Sequence, residues 1–200
     1  MRHGEVHNPE GILYGRIEGF GLSELGRRMA SAAAQSLATH PVTALYASPL
    51  QRAQESAAPW AEQFGLPVIT EERLIEPWND FEGGRMNLAA IVRSPSRVRN
   101  PFRPSWGEPY TQVRDRMLAA MTDAWAVADG GEVVMVSHQM PIVTVTRALG
   151  GRKLHHDPRK RRCTLSSITT FERSGDSFAE IGYQEPAAGL LAESVDSGAV

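Results

Sequence analysis

The sequence predicts an α/β fold in which helices cover both faces of a mostly parallel central sheet, a three-layer α/β/α arrangement. Short apolar runs typical of strands alternate along the chain with longer segments whose apolar residues recur at helical spacing. The chain has 200 residues, of which 42% are hydrophobic and 22% are charged. This length and composition are typical of one globular domain with a substantial core. We therefore predict a single domain over about residues 1–185, followed by a tail.

The amino-terminal part of the chain is predicted to contain a loop, a helix and a strand. Residues 9–22 include four glycines, which predict an irregular loop. Ser23 is a suitable N-cap for a helix that runs to about Thr39. Residues 42–47 are predicted to form a short buried strand.

The second helix is expected to begin at Ser48-Pro49, with the serine as its N-cap and the proline in its first turn. Pro59 lies inside this helix and is expected to kink or split it, because proline removes one backbone hydrogen bond and clashes with the preceding turn. A short strand over residues 67–70 is predicted next.

Residues 77–108 are predicted to form a loop-rich insertion. Five arginines lie from Arg85 to Arg103, and no acidic residue occurs in that interval. Together with its aromatic residues, this composition could serve a lid that recognises an anionic substrate. A loosely packed, solvated insertion is the alternative, and the sequence leaves both open.

The second half of the chain repeats the alternation of helices and strands. The predicted elements are a helix over 109–128, a strand over 132–137, a helix over 139–149 and two strands over 167–172 and 178–183. Small and polar residues from Pro186 onward predict a disordered tail over residues 186–200.

Charge and cysteine content argue against several classes of protein. The formal net charge of −2 argues against general binding to nucleic acids or membrane surfaces. A single cysteine, Cys163, cannot form an intramolecular disulfide and suits a reducing compartment. With no signal peptide and no apolar run long enough to span a bilayer, we expect a cytoplasmic protein. A homodimer is compatible with the sequence.

The first residues carry the strongest chemical signal, Arg2-His3-Gly4 with Asn8 four positions after the glycine. Neutral imidazole is a nucleophile toward phosphorus, and a guanidinium offers a planar fork of donors that matches two phosphoryl oxygens. The glycine allows a phosphate to approach the backbone, and the Asn8 amide could add a neutral donor. Taken alone, a three-residue motif also fits a simple surface turn.

Three candidate side chains are predicted to meet at one edge of the sheet. His3, Arg52 and His138 each follow a strand, or the position where one is expected. Ligands of open parallel sheets bind at the carboxyl ends of the strands. Two arginines, Arg2 and Arg52, would repel each other in this pocket unless an anion binds there. The sequence therefore predicts an anion site.

Four further segments follow the Arg-His-Gly motif in a characteristic order: residues 48–53, 74–76, 81–83 and 133–138. The whole set resembles the histidine phosphatase superfamily, also called the phosphoglycerate mutase-like family, over about residues 1–185. The resemblance implies the phosphoglycerate mutase-like form of the α/β fold.

The resemblance also implies how the site acts on phosphate. His3 would be the nucleophile that becomes phosphohistidine, and Arg2, Arg52 and His138 would bind the phosphoryl group. Cationic donors around the phosphoryl oxygens are the main requirement of such a reaction. No metal or other cofactor is implied, and the partner would be a small-molecule phosphate ester.

A carboxyl group is expected to protonate the leaving oxygen, and the resemblance assigns this role to Glu76. A carboxyl that acts as an acid near neutral pH needs a raised pKa, which partial burial and a nearby phosphate can supply. Glu82 is the rival for this role, and Glu5 is a weaker one.

The amino end departs from the family pattern. A buried parallel strand normally leads into the Arg-His-Gly turn, whereas only Met1 precedes it here. Loss of a central strand would leave backbone groups of its neighbours unpaired. We therefore expect the natural protein to begin several apolar residues upstream.

Three functions are compatible with these residues. The first is a metal-independent phosphomonoesterase that acts through phosphohistidine on a small phosphorylated metabolite. The second is a phosphoglycerate mutase-type enzyme, in which a second hydroxyl accepts the phosphoryl group in place of water. The third is a non-catalytic phosphate-binding module. Retention of the complete set of core side chains favours an enzyme, and a poor match to the substrate lid of the mutases favours hydrolysis.

Overall fold

A parallel sheet of three strands forms the centre of the fold. The structure, a computed structural model, describes residues 1–84 and 107–196. The sheet has the order β2-β1-β3, with β1 at Val42–Ala47, β2 at Val68–Thr70 and β3 at Glu132–Val136. An antiparallel hairpin follows, built from β4 (Ile168–Ser174) and β5 (Ser177–Gln184).

Four α-helices in the described residues connect and cover these strands. They are α1 (Glu24–Ser36), α2 (Gln51–Phe64), α3 (Tyr110–Ala126) and α4 (Gln139–Leu149). Short 3₁₀ helices lie at Glu72–Leu74, Pro158–Lys160 and Ala188–Glu193. The α/β fold with a mostly parallel sheet that the sequence predicts is confirmed. None of the helices in the described part of the chain is long and apolar enough to cross a membrane.

The alternation of side chains along the strands divides the core into two layers. Leu45 of β1 and Val136 of β3 point to one face, where α1 and α2 pack. Tyr46 follows Leu45 and Met135 precedes Val136, so these two side chains point to the other face, where α3 and α4 pack. Both faces of the sheet are therefore covered, as parallel sheets require.

The first three residues pair with the carboxyl end of β3. Arg2 forms a parallel bridge with Ser137, and the amino group of Met1 donates to the Met135 carbonyl at 2.8 Å. The Arg2 amide donates to the carbonyl of Ser167, just before β4, at 3.0 Å. This short segment thus links the sheet to the hairpin and brings the next residue, His3, to the edge where β1 and β3 end.

An apolar groove of about 340 Å³ runs between β3 and β4 beyond Met1. Its walls include Met1, Val134, Ile168 and Phe178. The expectation that a strand precedes Met1 in the natural protein stays a prediction.

The prediction for the start of the second helix is wrong. Its N-cap is Leu50, not Ser48, because the Ser48 hydroxyl bonds to His138 instead. Of the two effects expected of Pro59, a split does not occur, because α2 is continuous over Gln51–Phe64. A kink at Pro59 stays a prediction. Trp60 is buried against the sheet, and this packing outweighs the lost backbone bond.

The chain after Pro186 also differs from the prediction of a disordered tail. Residues 188–193 form a 3₁₀ helix, and Leu190 and Leu191 pack against Met29 of α1. Apolar contacts of these two leucines hold a segment whose overall composition is small and polar. The described residues continue to Asp196, and residues 197–200 lie outside them.

Most of the predicted insertion, including its five arginines, lies outside the described residues, so the choice between a lid and a solvated segment stays open. Its two ends meet, because Asn79 forms an antiparallel bridge with Gly107.

Candidate active site

Five ionisable side chains lie buried together near the carboxyl ends of β1 and β3, where the amino-terminal segment pairs with the sheet. Each is no more than 2% exposed to solvent, and the five are Arg2, His3, Arg52, Glu76 and His138. The ring centroids of the two histidines are 5.1 Å apart. Buried charges are uncommon unless they are paired or functional. The edge that the sequence predicts therefore does bring these side chains into one cluster.

His3 presents a neutral imidazole with one nitrogen available for reaction. Its Nδ1 lies 2.7 Å from the Gly4 carbonyl, which can only accept, so Nδ1 carries the proton. Its Nε2 has no hydrogen-bond partner among the described residues. Burial lowers the pKa of His3 well below its usual range, and the charges of Arg52 and Arg2 lower it further. The lone pair on Nε2 is thus available at neutral pH.

The turn that carries His3 depends on a close approach between two glycines. A Cβ on Gly4 would lie 2.4 Å from the Gly26 carbonyl oxygen, and a Cβ on Gly26 would lie 2.0 Å from the Glu5 carbonyl oxygen. The first turn of α1 therefore packs directly on the backbone of the motif. The Gly4 amide also donates to Ser56 Oγ of α2 at 3.0 Å.

Arg52 lies one turn into α2, with its guanidinium held from two sides. Its Nη2 donates to the Gly15 carbonyl at 2.7 Å, and its guanidinium carbon lies 4.6 Å from the centre of the Tyr14 ring. Burial lowers the pKa of Arg52, although a guanidinium stays charged in proteins. Its Nε–H has no hydrogen-bond partner among the described residues.

Arg2 is completely buried and forms a forked contact with a carboxylate from the end of the chain. Its Nη1 donates to the Cys163 carbonyl at 2.8 Å and to Asp196 Oδ2 at 2.7 Å, and its Nη2 donates to Asp196 Oδ1. The Asp196 side chain is 41% exposed, so this ion pair reaches the surface of the site. Arg2 also retains a buried Nε–H without a partner in the described part of the chain.

Glu76 and His138 face each other without an ion pair. His138 Nδ1 is 3.5 Å from Glu76 Oε2, which is too long for a hydrogen bond, and Nε2 lies 2.7 Å from Ser48 Oγ. Burial lowers the pKa of His138 well below its usual range, and Arg52 adds to this effect. Burial also raises the pKa of Glu76 to about 7, against the opposing charges of Arg52 and Arg161. A neutral imidazole thus lies beside a carboxyl that can hold a proton near neutral pH.

Three other residues considered from the sequence form hydrogen bonds with groups outside this cluster, although the charge of Glu82 still acts on Arg52. The Asn8 amide group bonds to Ile12, donating to its carbonyl at 2.8 Å and accepting from its amide at 3.0 Å. Glu82 accepts from the Asn79 amide at 3.2 Å, and Glu5 accepts from the Ser23 hydroxyl. The phosphate role of Asn8 stays a prediction, and of the three carboxyl groups considered as the acid, Glu76 lies beside His138.

Several contacts of the site have no local sequence signal. Tyr14 and Arg16 lie in the glycine-rich loop, where no periodicity indicates the direction of a side chain. Ser48 has the sequence position of a helix cap, so the sequence gives no indication that its hydroxyl contacts His138. Asp196 is nearly two hundred positions from Arg2. In the described residues, no three histidine, cysteine or acidic side chains are arranged to hold a metal ion.

Comparison with known proteins identifies the family. The sequence model of the histidine phosphatase superfamily, branch 1, matches residues 1–185 of this chain. The chain belongs to the histidine phosphatase superfamily. The resemblance inferred from the motifs is thus confirmed, and the protein is a phosphohydrolase- or mutase-like enzyme of this superfamily.

Relatives within the superfamily include proteins named for both reactions. The chain is 49% identical over 192 residues to the uncharacterized protein Rv0525 of Mycobacterium tuberculosis, covering 94% of this chain and 95% of that protein. It is 27% identical to a probable phosphoglycerate mutase, GpmB, of Yersinia pestis, covering 84% and 82%. The solved structure of mycobacterial glucosyl-3-phosphoglycerate phosphatase Rv2419c in complex with VO3 is similar, with a TM-score of 0.74, 26% identity and coverage of 90% and 94%.

Proposed function

We propose that this enzyme is a metal-independent phosphomonoesterase that acts through phosphohistidine on a small phosphorylated metabolite. The observation that carries the proposal is a set of buried polar atoms that lack hydrogen-bond partners among the described residues. They comprise His3 Nε2, the Nε–H groups of Arg2 and Arg52, and both carboxyl oxygens of Glu76. Buried polar groups are normally paired, so a convergent set of donors, a nucleophile and an acid indicates a site built for a bound anion.

The first step transfers the phosphoryl group to the enzyme. His3 Nε2 forms a bond to phosphorus while the bond to the leaving oxygen breaks, and the Glu76 carboxyl gives its proton to that oxygen. Arg2, Arg52 and His138 surround the phosphoryl oxygens and stabilise the charge that they carry.

The second step returns the enzyme to its starting state. Glu76, now a carboxylate, accepts a proton from a water molecule as the water oxygen attacks the phosphohistidine. The phosphorus–nitrogen bond breaks, orthophosphate leaves, and His3 regains its neutral imidazole. Two buried guanidinium groups supply the positive charge that the reaction needs, which is why we propose that no metal takes part.

The relatives support hydrolysis and keep a mutase as the alternative. A mycobacterial relative of similar structure is named a phosphatase, and a curated relative is named a probable phosphoglycerate mutase. A mutase differs only in the acceptor of the phosphoryl group, a second hydroxyl in place of water. The site geometry is compatible with both acceptors, so the assay has to separate them.

The test is a panel of phosphorylated metabolites in which release of orthophosphate and interconversion of 2- and 3-phosphoglycerate are both measured. We expect orthophosphate release, together with an acid-labile, base-stable phosphoenzyme on rapid quench. His3→Ala should abolish both signals. Interconversion without net release would favour the mutase, and activity in His3→Ala would contradict the assignment of the nucleophile.

The role of Glu76 is tested by the basicity of the leaving group. An alkoxide needs a proton as it leaves, whereas p-nitrophenolate does not. Glu76→Gln should therefore lose about 10²–10⁴-fold in rate on alkyl phosphates and much less on p-nitrophenyl phosphate. Glu82→Gln is the matched control and should lose little on either ester. Equal losses on both esters for Glu76→Gln would move the acid role to another residue.

A further inference from the structure

The backbone on either side of Glu76 is held by two arginines from distant parts of the chain. Arg16, in the loop after the Arg-His-Gly motif, donates from Nε to the Glu76 carbonyl at 2.5 Å. Arg116, on α3, donates from Nη1 to the carbonyl of Arg73. Side chains from two different elements therefore determine where the segment that carries Glu76 lies.

The same two arginines meet on one carboxylate, that of Glu108. Arg116 bonds to it with two donors, Nε to Oε1 at 2.8 Å and Nη2 to Oε2 at 3.1 Å. Arg16 shares the second oxygen, with Nη2 at 3.2 Å from Oε2. The Glu108 amide also donates to the Trp78 carbonyl, two residues after Glu76, at 3.1 Å. Glu108 thus contacts the acid-bearing segment directly and through both arginines.

Burial makes this arrangement sensitive to the charge of Glu108. The residue is 7% exposed, and the side chains of Arg116 and Arg16 are 16% and 33% exposed. A shared carboxylate compensates two guanidinium groups that would otherwise repel each other in a partly dry environment. Without it, both arginines would be free to leave the carbonyls that they hold and to turn toward Glu76.

We propose that Glu108 is a positioning residue for Glu76, acting through Arg16 and Arg116 to hold the acid at the leaving oxygen. This inference rests on the role of Glu76 in the proposed function. Glu108 itself touches neither the phosphoryl-binding arginines nor His3 in the contacts described. Glu108 is the last residue of the predicted insertion, so the end of that insertion belongs to the hydrogen-bond network that positions Glu76.

The test is Glu108→Gln, assayed on an alkyl phosphate and on p-nitrophenyl phosphate. A displacement of a catalytic group on the order of 1 Å can reduce a rate by up to about 100-fold, so we expect a loss of at least about 10-fold on the alkyl ester. Turnover of p-nitrophenyl phosphate and inhibition by vanadate should stay close to wild type. The apparent pKa of the acid in the profile of kcat/KM against pH should fall, because the released guanidinium groups favour the carboxylate.

A double variant shows whether Glu108 acts through Glu76. On the alkyl ester, Glu76→Gln combined with Glu108→Gln should be no slower than Glu76→Gln alone, since a misplaced acid and an absent acid are equivalent. Glu71→Gln is the matched control, because Glu71 also pairs with an arginine near this segment, at 2.6 Å from Arg73 Nη2. It should keep the wild-type ratio of the two ester rates.

Each outcome is decisive. Equal losses on both esters for Glu108→Gln, or additive losses in the double variant, would overturn the positioning role. If Glu108→Gln does not fold, Arg16→Gln removes one of the two links at a more exposed side chain and should show the same dependence on the leaving group. A wild-type enzyme that shows no phosphoenzyme would overturn the proposed function instead.

Discussion

At the residue scale, burial sets the protonation states that the proposed chemistry needs. The imidazoles of His3 and His138 are kept neutral, because burial and nearby arginines lower their pKa values. For the carboxyl of Glu76, burial has the opposite effect and raises the pKa to about 7. One low-dielectric pocket thus yields an uncharged nucleophile and a protonated acid at the same pH.

The raised pKa of Glu76 predicts a dependence of stability on pH. An unfolded glutamate has a pKa near 4.3, so between about pH 4.5 and 7 the folded state binds a proton that the unfolded state has lost. The protonated Glu76 carboxyl therefore contributes to the stability of the fold, and this contribution is lost as the pH rises through about 7. Glu76→Gln should therefore gain stability relative to wild type from pH 5 to pH 8, by an amount on the order of 3 kcal/mol.

Denaturant unfolding of both proteins at the two pH values measures this gain. The pKa values of His3 and His138 are lowered, so their contribution to the free energy of unfolding is lost as the pH falls. Both proteins lose this contribution, and it cancels when their free energies of unfolding are subtracted. A constant difference between Glu76→Gln and wild type would mean that Glu76 does not titrate in this range.

At the scale of elements, the site depends on how the start of α1 meets the turn that carries His3. The backbones of Gly4 and Gly26 approach so closely that neither position has room for a Cβ. Ser23 caps α1 and also donates to Glu5, so the helix start and the motif share one hydrogen-bond network. The placement of the nucleophile is therefore a property of two packed elements.

This contact predicts that Gly26→Ala damages the site from a helix position. The new methyl group would overlap the Glu5 carbonyl oxygen, and overpacking of this kind typically costs about 1–3 kcal/mol. We expect a lower Tm and a lower kcat on both alkyl and p-nitrophenyl esters, because the turn that carries His3 has to move. Gly189→Ala is the control, since no atom lies within 4 Å of its added Cβ. Wild-type stability and turnover in Gly26→Ala would disprove the close approach.

At the scale of the whole molecule, the two ends of the chain meet at the site. Arg2 comes from the amino end and Asp196 from the segment after the last 3₁₀ helix, and their forked ion pair uses the same guanidinium that we propose for phosphate. The Val195 amide donates to Glu5 at 2.7 Å, which fixes this segment across the motif. A carboxylate of the protein thus places negative charge beside the guanidinium whose free Nε–H would meet the phosphoryl group.

Competition between Asp196 and phosphate is therefore expected. Asp196→Asn should tighten inhibition by orthophosphate and vanadate by about 5-fold, because a partly exposed ion pair contributes up to about 1 kcal/mol. Glu193→Gln is the matched control: it lies in the same segment and is 3.9 Å from Arg28, away from Arg2. Inhibition constants measured for the three proteins decide the question. Weaker inhibition in Asp196→Asn would mean that the carboxylate supports Arg2 rather than competing with the ligand.

The order of the elements, and the residues that lie at the ligand-binding edge, could be predicted from the amino-acid sequence alone. Periodicity and helix and turn signals are local, so β1, β3 and α4 are found within one or two residues of their predicted bounds. The carboxyl ends of parallel strands share one edge of a sheet, and this rule alone predicts that His3, Arg52 and His138 lie together.

The contacts that set the pKa values and positions of those residues could not be predicted, because they depend on long-range packing. The raised pKa of Glu76 arises from its complete burial, which no spacing in the sequence reports. Arg16 and Glu108 are 92 positions apart, and Asp196 meets Arg2 across nearly the entire chain. Such pairs have no periodicity, because the packing of distant elements brings them together. Local patterns therefore identify the side chains that react, and long-range packing determines their charge and their position.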